Sequence, residues 1–240
     1  MTGEPLSYQA DGLAMRSLFF APTDHEGPRP GILVFPEIFG LGDHAIDSAR
    51  RLAQIGFAAL ACDLHGEGRM VTDLDEARTL MAPVRSDVSG LRARAEGALA
   101  AMRSRPEVDG SKTAAIGYCL GGTMALELAR SGADIAGAVG FHSGLTTPAP
   151  GDARNIKGKI LVCIGADDPG VGYEDRGTFE REMREAGVDW QLHVYGGVVH
   201  SFTNPDAAAL GLPDFARYDA KADARSWTSM LSFFEEIFAG

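Results

Sequence analysis

Residues 112–122 read KTAAIGYCLGG, an apolar run that ends on a cysteine set among glycines. Small and β-branched residues without polar alternation mark a strand covered on both faces. TMALELARSG at 123–132 follows with helical spacing and a glycine stop. Gly117, Cys119 and Gly121 thus satisfy G-x-[nucleophile]-x-G on a strand-to-helix turn, where small neighbours let strand and helix pack closely. A helix N-terminus lowers a thiol's pKa from about 8.5, and a histidine within hydrogen-bond reach lowers it further. The competing reading makes Cys119 a small inert core residue, like Cys62 and Cys163 inside their apolar runs. The flanking glycines favour the nucleophile.

Similar runs recur on both sides of this turn: GILVFPEIFG (31–40), GFAALACDLHG (56–66), IAGAVGFHSG (135–144), KGKILVCIGADD (157–168) and WQLHVYGGVVH (190–200). Amphipathic stretches lie between most of them, including HAIDSARRLAQIG (44–56), DVSGLRARAEGALAAMRSRP (87–106) and TFEREMREAG (178–187), and DARSWTSMLSFFEEIFAG (223–240) closes the chain. Strand and helix in alternation predict a doubly wound α/β fold, a mostly parallel central sheet with helices on both faces. GLAMRSLFFAP (12–22) reads as an antiparallel N-terminal edge strand or hairpin. The least regular large segment, 64–86, follows a strand's C-terminal end, the side on which open α/β sheets bind ligands. No linker, internal repeat or low-complexity tract divides residues 1–240, so a single domain is expected.

Composition narrows the function classes. The net charge of −11, from 33 acidic and 22 basic residues spread along the chain, opposes nucleic acid and anionic membrane surfaces. No basic-then-apolar leader and no run of eighteen apolar residues is present, so no membrane partner and a cytoplasmic location are expected. Three widely spaced cysteines fit neither a disulfide framework nor a zinc site. His193 and His200, seven residues apart, are not a recognised metal-ligand spacing, so no metal is expected. "GYCLGG" and "HGEGRM" both fail G-x-G-x-x-G, and no Walker A sequence occurs, so no nucleotide cofactor is expected either.

A thiol nucleophile needs an acid and a histidine after it in the chain. GADDPGV follows the run ending at Gly165 and offers Asp168, with Asp167 its competitor. VVHSF follows the last strand pattern and offers His200, over His193 within that strand pattern and His142 in FHSG.

With PEIFG, CDLHG, GYCLGG, GADDPGV and VVHSF in this order over nearly the whole chain, the sequence resembles the dienelactone hydrolase family of α/β-hydrolases. The resemblance implies the α/β-hydrolase fold and carboxymethylenebutenolidase-like hydrolysis of a lactone or carboxylic ester, without cofactor. It implies a triad of Cys119, Asp168 and His200, with Glu37 beside the thiol holding it poorly reactive until substrate rearranges the site. The N–H groups of Ile38 and Leu120 would form the oxyanion hole, in keeping with donors that converge from the first βα loop and the residue after the nucleophile. One departure stands out: the family's arginine a few residues after the histidine is here Asn204. Arg69, Arg78 and Arg85 in the irregular segment are the cations left for a substrate carboxylate, and a neutral ester or lactone is as plausible a substrate. Phe39 and Phe202 are candidate pocket walls, whereas Trp227 on its helical stripe reads as core. Acyl transfer, thioester or polyester hydrolysis by the same triad, and a silent ligand-binding pseudo-hydrolase, are the alternatives. The partner expected is a small-molecule ester or lactone, bound by a monomer or homodimer.

Overall fold

The computed structural model describes residues 1–23 and 27–239, and for Arg85 the backbone alone. Eight strands form one sheet in the order β1-β2-β4-β3-β5-β6-β7-β8. The first two, β1 (Glu4–Ala10) and β2 (Leu13–Phe20), make an antiparallel hairpin through Asp11-Gly12, both at positive φ (52° and 70°), as a two-residue turn of the Asp-Gly kind requires. β2 pairs antiparallel with β4 (Ala58–Ala61). From there β3 (Arg29–Phe35), β5 (Val108–Tyr118), β6 (Gly137–Phe141), β7 (Lys159–Gly165) and β8 (Trp190–Tyr195) run parallel.

The central strands show why alternation is missing from their sequences. On β3, Leu33 and Phe35 pack against one layer and Ile32 and Val34 against the other, all with no exposed surface. One layer is α1 (Asp43–Gln54) and α6 (Ala220–Phe238), through Leu52, Trp227 and Phe233. The opposite layer contains α2 (Leu74–Ser86), α3 (Ser89–Arg103), α4 (Leu120–Arg130) and α5 (Tyr173–Ala186). Trp227 is core, as its stripe predicts.

The segment 64–86 is more ordered than its sequence suggests. Its second half is helix α2, with Asp73 at the N-cap accepting from the Glu76 N–H at 2.8 Å and Pro83 inside its C-terminal turn. Proline and a thin apolar stripe hid the helix, although the Asp73-x-x-Glu76 spacing is an N-terminal signature.

The chain passes from β3 to β4 on one side and later to β5 on the other, so their carboxyl ends flank a topological switch point. The loop after β3 carries Glu37 and Ile38, and the turn after β5 carries Cys119.

Candidate active site

Cys119 joins β5 to α4 at φ 55°, ψ −119°, a conformation that L-residues occupy only under constraint. The constraint is the close approach of strand, helix and neighbouring loop. A Cβ on Gly117 would lie 2.0 Å from the Gly121 carbonyl oxygen, and one on Gly121 would lie 2.3 Å from that of Pro36. Only glycine fits at both. Of the five non-glycine residues at positive φ among those described, three (Cys119, His142 and Ser201) cluster at this end of the sheet.

His200 lies on the loop past β8, its backbone tied to a neighbouring segment by bonds from its N–H to Phe215 O (3.0 Å) and from the Arg217 N–H to its own carbonyl (3.1 Å). Its ring stacks on Phe215 and meets His142 edge-on. Nδ1 bonds Asp168 Oδ2 at 2.7 Å, and the other carboxylate oxygen accepts from the Gly170 N–H at 2.8 Å. Asp168 is buried, whereas Asp167 is exposed. His193 bonds Ser229 at the sheet edge instead.

His200 and Cys119 border the same cleft, close enough for the sulfur to act electrostatically on the imidazole. Burial alone would lower the imidazole's pKa, but the interaction with Cys119 and the hydrogen bond to Asp168 outweigh it and hold the pKa well above its ordinary value. Cys119 is half-buried and lines the cleft, whereas Cys62 and Cys163 have no exposed surface. Burial pushes both of those thiols up, Cys163 to about 12.

The cleft has a volume of about 520 Å³ and is bordered by Cys119, His200, Glu37, Ile38, Phe39, Leu120 and Arg78. Leu120 is the first residue of α4, so its N–H has no carbonyl partner within the helix. The Ile38 loop is pinned one peptide further on, where its carbonyl accepts from Nε2 of buried His65 at 2.9 Å. Glu37 is anchored from the His200 loop: Ser201 Oγ donates to Oε1 at 2.6 Å, and Asn204 Nδ2 donates to Oε2 at 2.5 Å.

Several expected contacts fall elsewhere. Phe202 is fully buried in the α1–α6 layer, its ring edge-on to His142 and Tyr195, because the turn of the loop at Ser201 sends it inward. Asn204 is spent on Glu37 and borders a smaller cleft next to α1 and α6. Arg69 pairs with Glu76 on the surface at 2.9 Å and does not border the main cleft. Arg78 does, although its guanidinium pairs with Asp75 at 3.3 Å. The Arg85 side chain lies outside the described residues. His142 is fully buried, its Nε2 2.8 Å from Thr203 Oγ1 and its pKa well below the ordinary value, with burial the leading cause.

Other walls had no sequence signal: Leu74 of α2, Val88 at the N-cap of α3, Leu91 of α3, Phe215 from the loop between β8 and α6, and Thr146–Pro148 after β6. Phe215 could be found only through the bonds that bring it beside His200.

A mostly parallel sheet with its nucleophile-type turn after β5, an acid after β7 and a histidine after β8 is the arrangement of the α/β-hydrolases. A family model, the dienelactone hydrolase family, matches residues 15–238, and the chain belongs to that family. A solved dienelactone hydrolase-like promiscuous phosphotriesterase from metagenomic libraries is 46% identical, with a TM-score of 0.94 over 98% of each chain. An uncharacterized Caenorhabditis elegans protein is 38% identical over 64% of this chain and 99% of its own length. A Bradyrhizobium protein named "Probable 2-oxo-3-(5-oxofuran-2-ylidene)propanoate lactonase" is 27% identical over 73% of this chain and 74% of its own. No described helix is long and apolar enough to cross a membrane.

Proposed function

We propose that the protein, a dienelactone hydrolase-like hydrolase, cleaves a carboxylic ester or lactone through a thioester on Cys119. The observation that supports this reading is the Asp168–His200 hydrogen bond at 2.7 Å behind an imidazole that lines the same cleft as Cys119. Asp168 accepts a hydrogen bond from Nδ1–H and fixes the tautomer, so that Nε2 is the nitrogen left for the thiol. In acylation the sulfur attacks the carbonyl carbon, and the developing oxyanion is received by the Ile38 and Leu120 N–H groups. His200 gives its proton to the departing alkoxide. Water, deprotonated by the same imidazole, then attacks the thioester, and the acid leaves as the thiolate returns.

Glu37 borders the same cleft with both oxygens occupied by neighbours, which supports a role in shaping the environment of the thiol. The test is Cys119→Ala with p-nitrophenyl acetate. A folded variant with turnover reduced at least a thousandfold is expected; undiminished turnover overturns the assignment.

A second reading has a specific support, the likeness to the phosphotriesterase. The same nucleophile and N–H donors suit a neutral phosphotriester, whose tetrahedral centre resembles the acyl intermediate. Turnover of paraoxon lost together with esterase activity in Cys119→Ala is the expected sign of it.

A further inference from the structure

We propose that Glu37, held by Ser201 and Asn204, makes this cleft exclude substrates with a carboxylate near the reacting carbonyl, so that its natural substrates are uncharged or cationic. The inference rests on the hydrolase reading above and names the substrate class of that site.

Both Glu37 oxygens accept from neutral donors, a hydroxyl and a carboxamide, at 2.6 and 2.5 Å. That suits an ionised carboxylate, which is acceptor-only. Neither donor brings a compensating charge, and Glu37 has only 9% of its surface exposed, so its charge acts in a medium that screens poorly. Close by, Cys119 and His200 sharing one proton are neutral as a unit wherever that proton sits, and Asp168 adds a further negative charge. The reacting end of the cleft is therefore anionic overall.

Cations capable of offsetting this are lacking among the described side chains. Arg78 alone borders the cleft; it is half exposed, stands on α2 and already pairs with Asp75. Arg69 pairs with Glu76 away from the cleft. Arg176 is committed to the Gly172 and Ala166 carbonyls and the Tyr173 ring. An acyl carboxylate entering beside Glu37 would meet a like charge and lose its own hydration. An uncharged acyl chain meets Phe39, Leu74 and Leu91 instead.

The experiment compares p-nitrophenyl valerate with mono-p-nitrophenyl glutarate, in which a carboxylate replaces the terminal methyl, after subtraction of enzyme-free rates. The expected kcat/KM is at least tenfold higher for the valerate, with the gap narrowing severalfold between low and high salt. Asn204→Arg is expected to raise the glutarate-to-valerate ratio of kcat/KM at least tenfold, mainly through the glutarate KM; Asn204→Lys serves if the arginine variant does not fold. Glu37→Gln should narrow the gap as well. Wild-type glutarate turnover within threefold of valerate, or a gap indifferent to salt and to both Asn204 substitutions, overturns the proposal while leaving the hydrolase reading intact. Turnover of neither ester overturns both.

Discussion

At the residue scale, the relay that we propose depends on one carboxylate fixing one ring. Asp168 is positioned by its own loop, through the Gly170 N–H, before it holds His200. In Asp168→Asn the amide can donate to Nδ1, leaving the wrong nitrogen protonated, and kcat is expected to fall by on the order of 10⁴, as in serine triads. An NMR titration of the His200 ring supplies the second check. The wild-type ring should titrate well above 6.5, and the variant ring should move down, because an Asp168 hydrogen bond that raises the pKa is lost while the burial that lowers it remains. An unchanged titration would show that Asp168 does not support the charged ring. That Asp168 meets His200, and that His200 shares a cleft with Cys119, was legible because each residue follows a strand pattern at a loop with its own motif. The contacts of Phe202 and Asn204 were not: a single positive-φ residue, Ser201, sets where the following side chains point, and local pattern does not reveal that turn.

At the scale of elements, the elbow is held from both ends. Its glycines admit no side chain, so Gly121→Ala is expected to cost several kcal/mol, or to prevent folding, since the new Cβ meets backbone rather than a movable side chain. At the other end of α4, fully buried Arg130 bonds Glu182 through Nε and Nη2, Glu127 through Nη1, and the Leu145 carbonyl. Arg92 joins Glu127 to Asp152. This network ties α3, α4 and α5 to the loop that precedes the Thr146–Pro148 wall of the cleft. Arg130→Ala leaves Glu127 and Glu182 buried with less compensation, and urea denaturation should report a loss of about 3–5 kcal/mol. A loss under about 1 kcal/mol would mean that the network contributes little to stability. Strands were easier to read than such ties, because burial on both faces writes itself into consecutive residues. α2 was lost to Pro83, and the Arg130 network joins residues far apart in sequence whose charges look like ordinary helix surface.

For the whole molecule, pH couples the site to stability. His44, His65 and His142 all have pKa values depressed mainly by burial. A histidine with a lower pKa folded than unfolded takes up protons first in the unfolded chain, so stability is lost as pH falls below about 6.5 toward each folded value. His200 has the opposite sign: its contribution is fully present below about 6.5 and is lost as pH rises through its elevated folded value. Below 6.5 its contribution is constant, so it does not offset the loss from His44, His65 and His142 on acidification. The urea midpoint should therefore fall between pH 6.5 and 5, and His142→Phe should flatten that fall. An equal slope in the variant would show that His142 is not held neutral by the fold. The mostly parallel sheet, its antiparallel N-terminal edge and ligand binding past the strands' C-terminal ends followed from periodicity and from the alternation of strand and helix. The cleft's walls did not, because they are assembled from α2, α3 and two loops that meet only once the sheet has formed.

The central claim is that acyl transfer passes through the sulfur of Cys119. Rapid acid quench of the enzyme with p-nitrophenyl acetate, followed by proteolysis and mass mapping, tests it directly. An acetyl group on the peptide bearing Cys119, absent from Cys119→Ala, is the predicted result. Acetyl carried instead by another residue that turnover requires, or turnover that persists in Cys119→Ala, would contradict it.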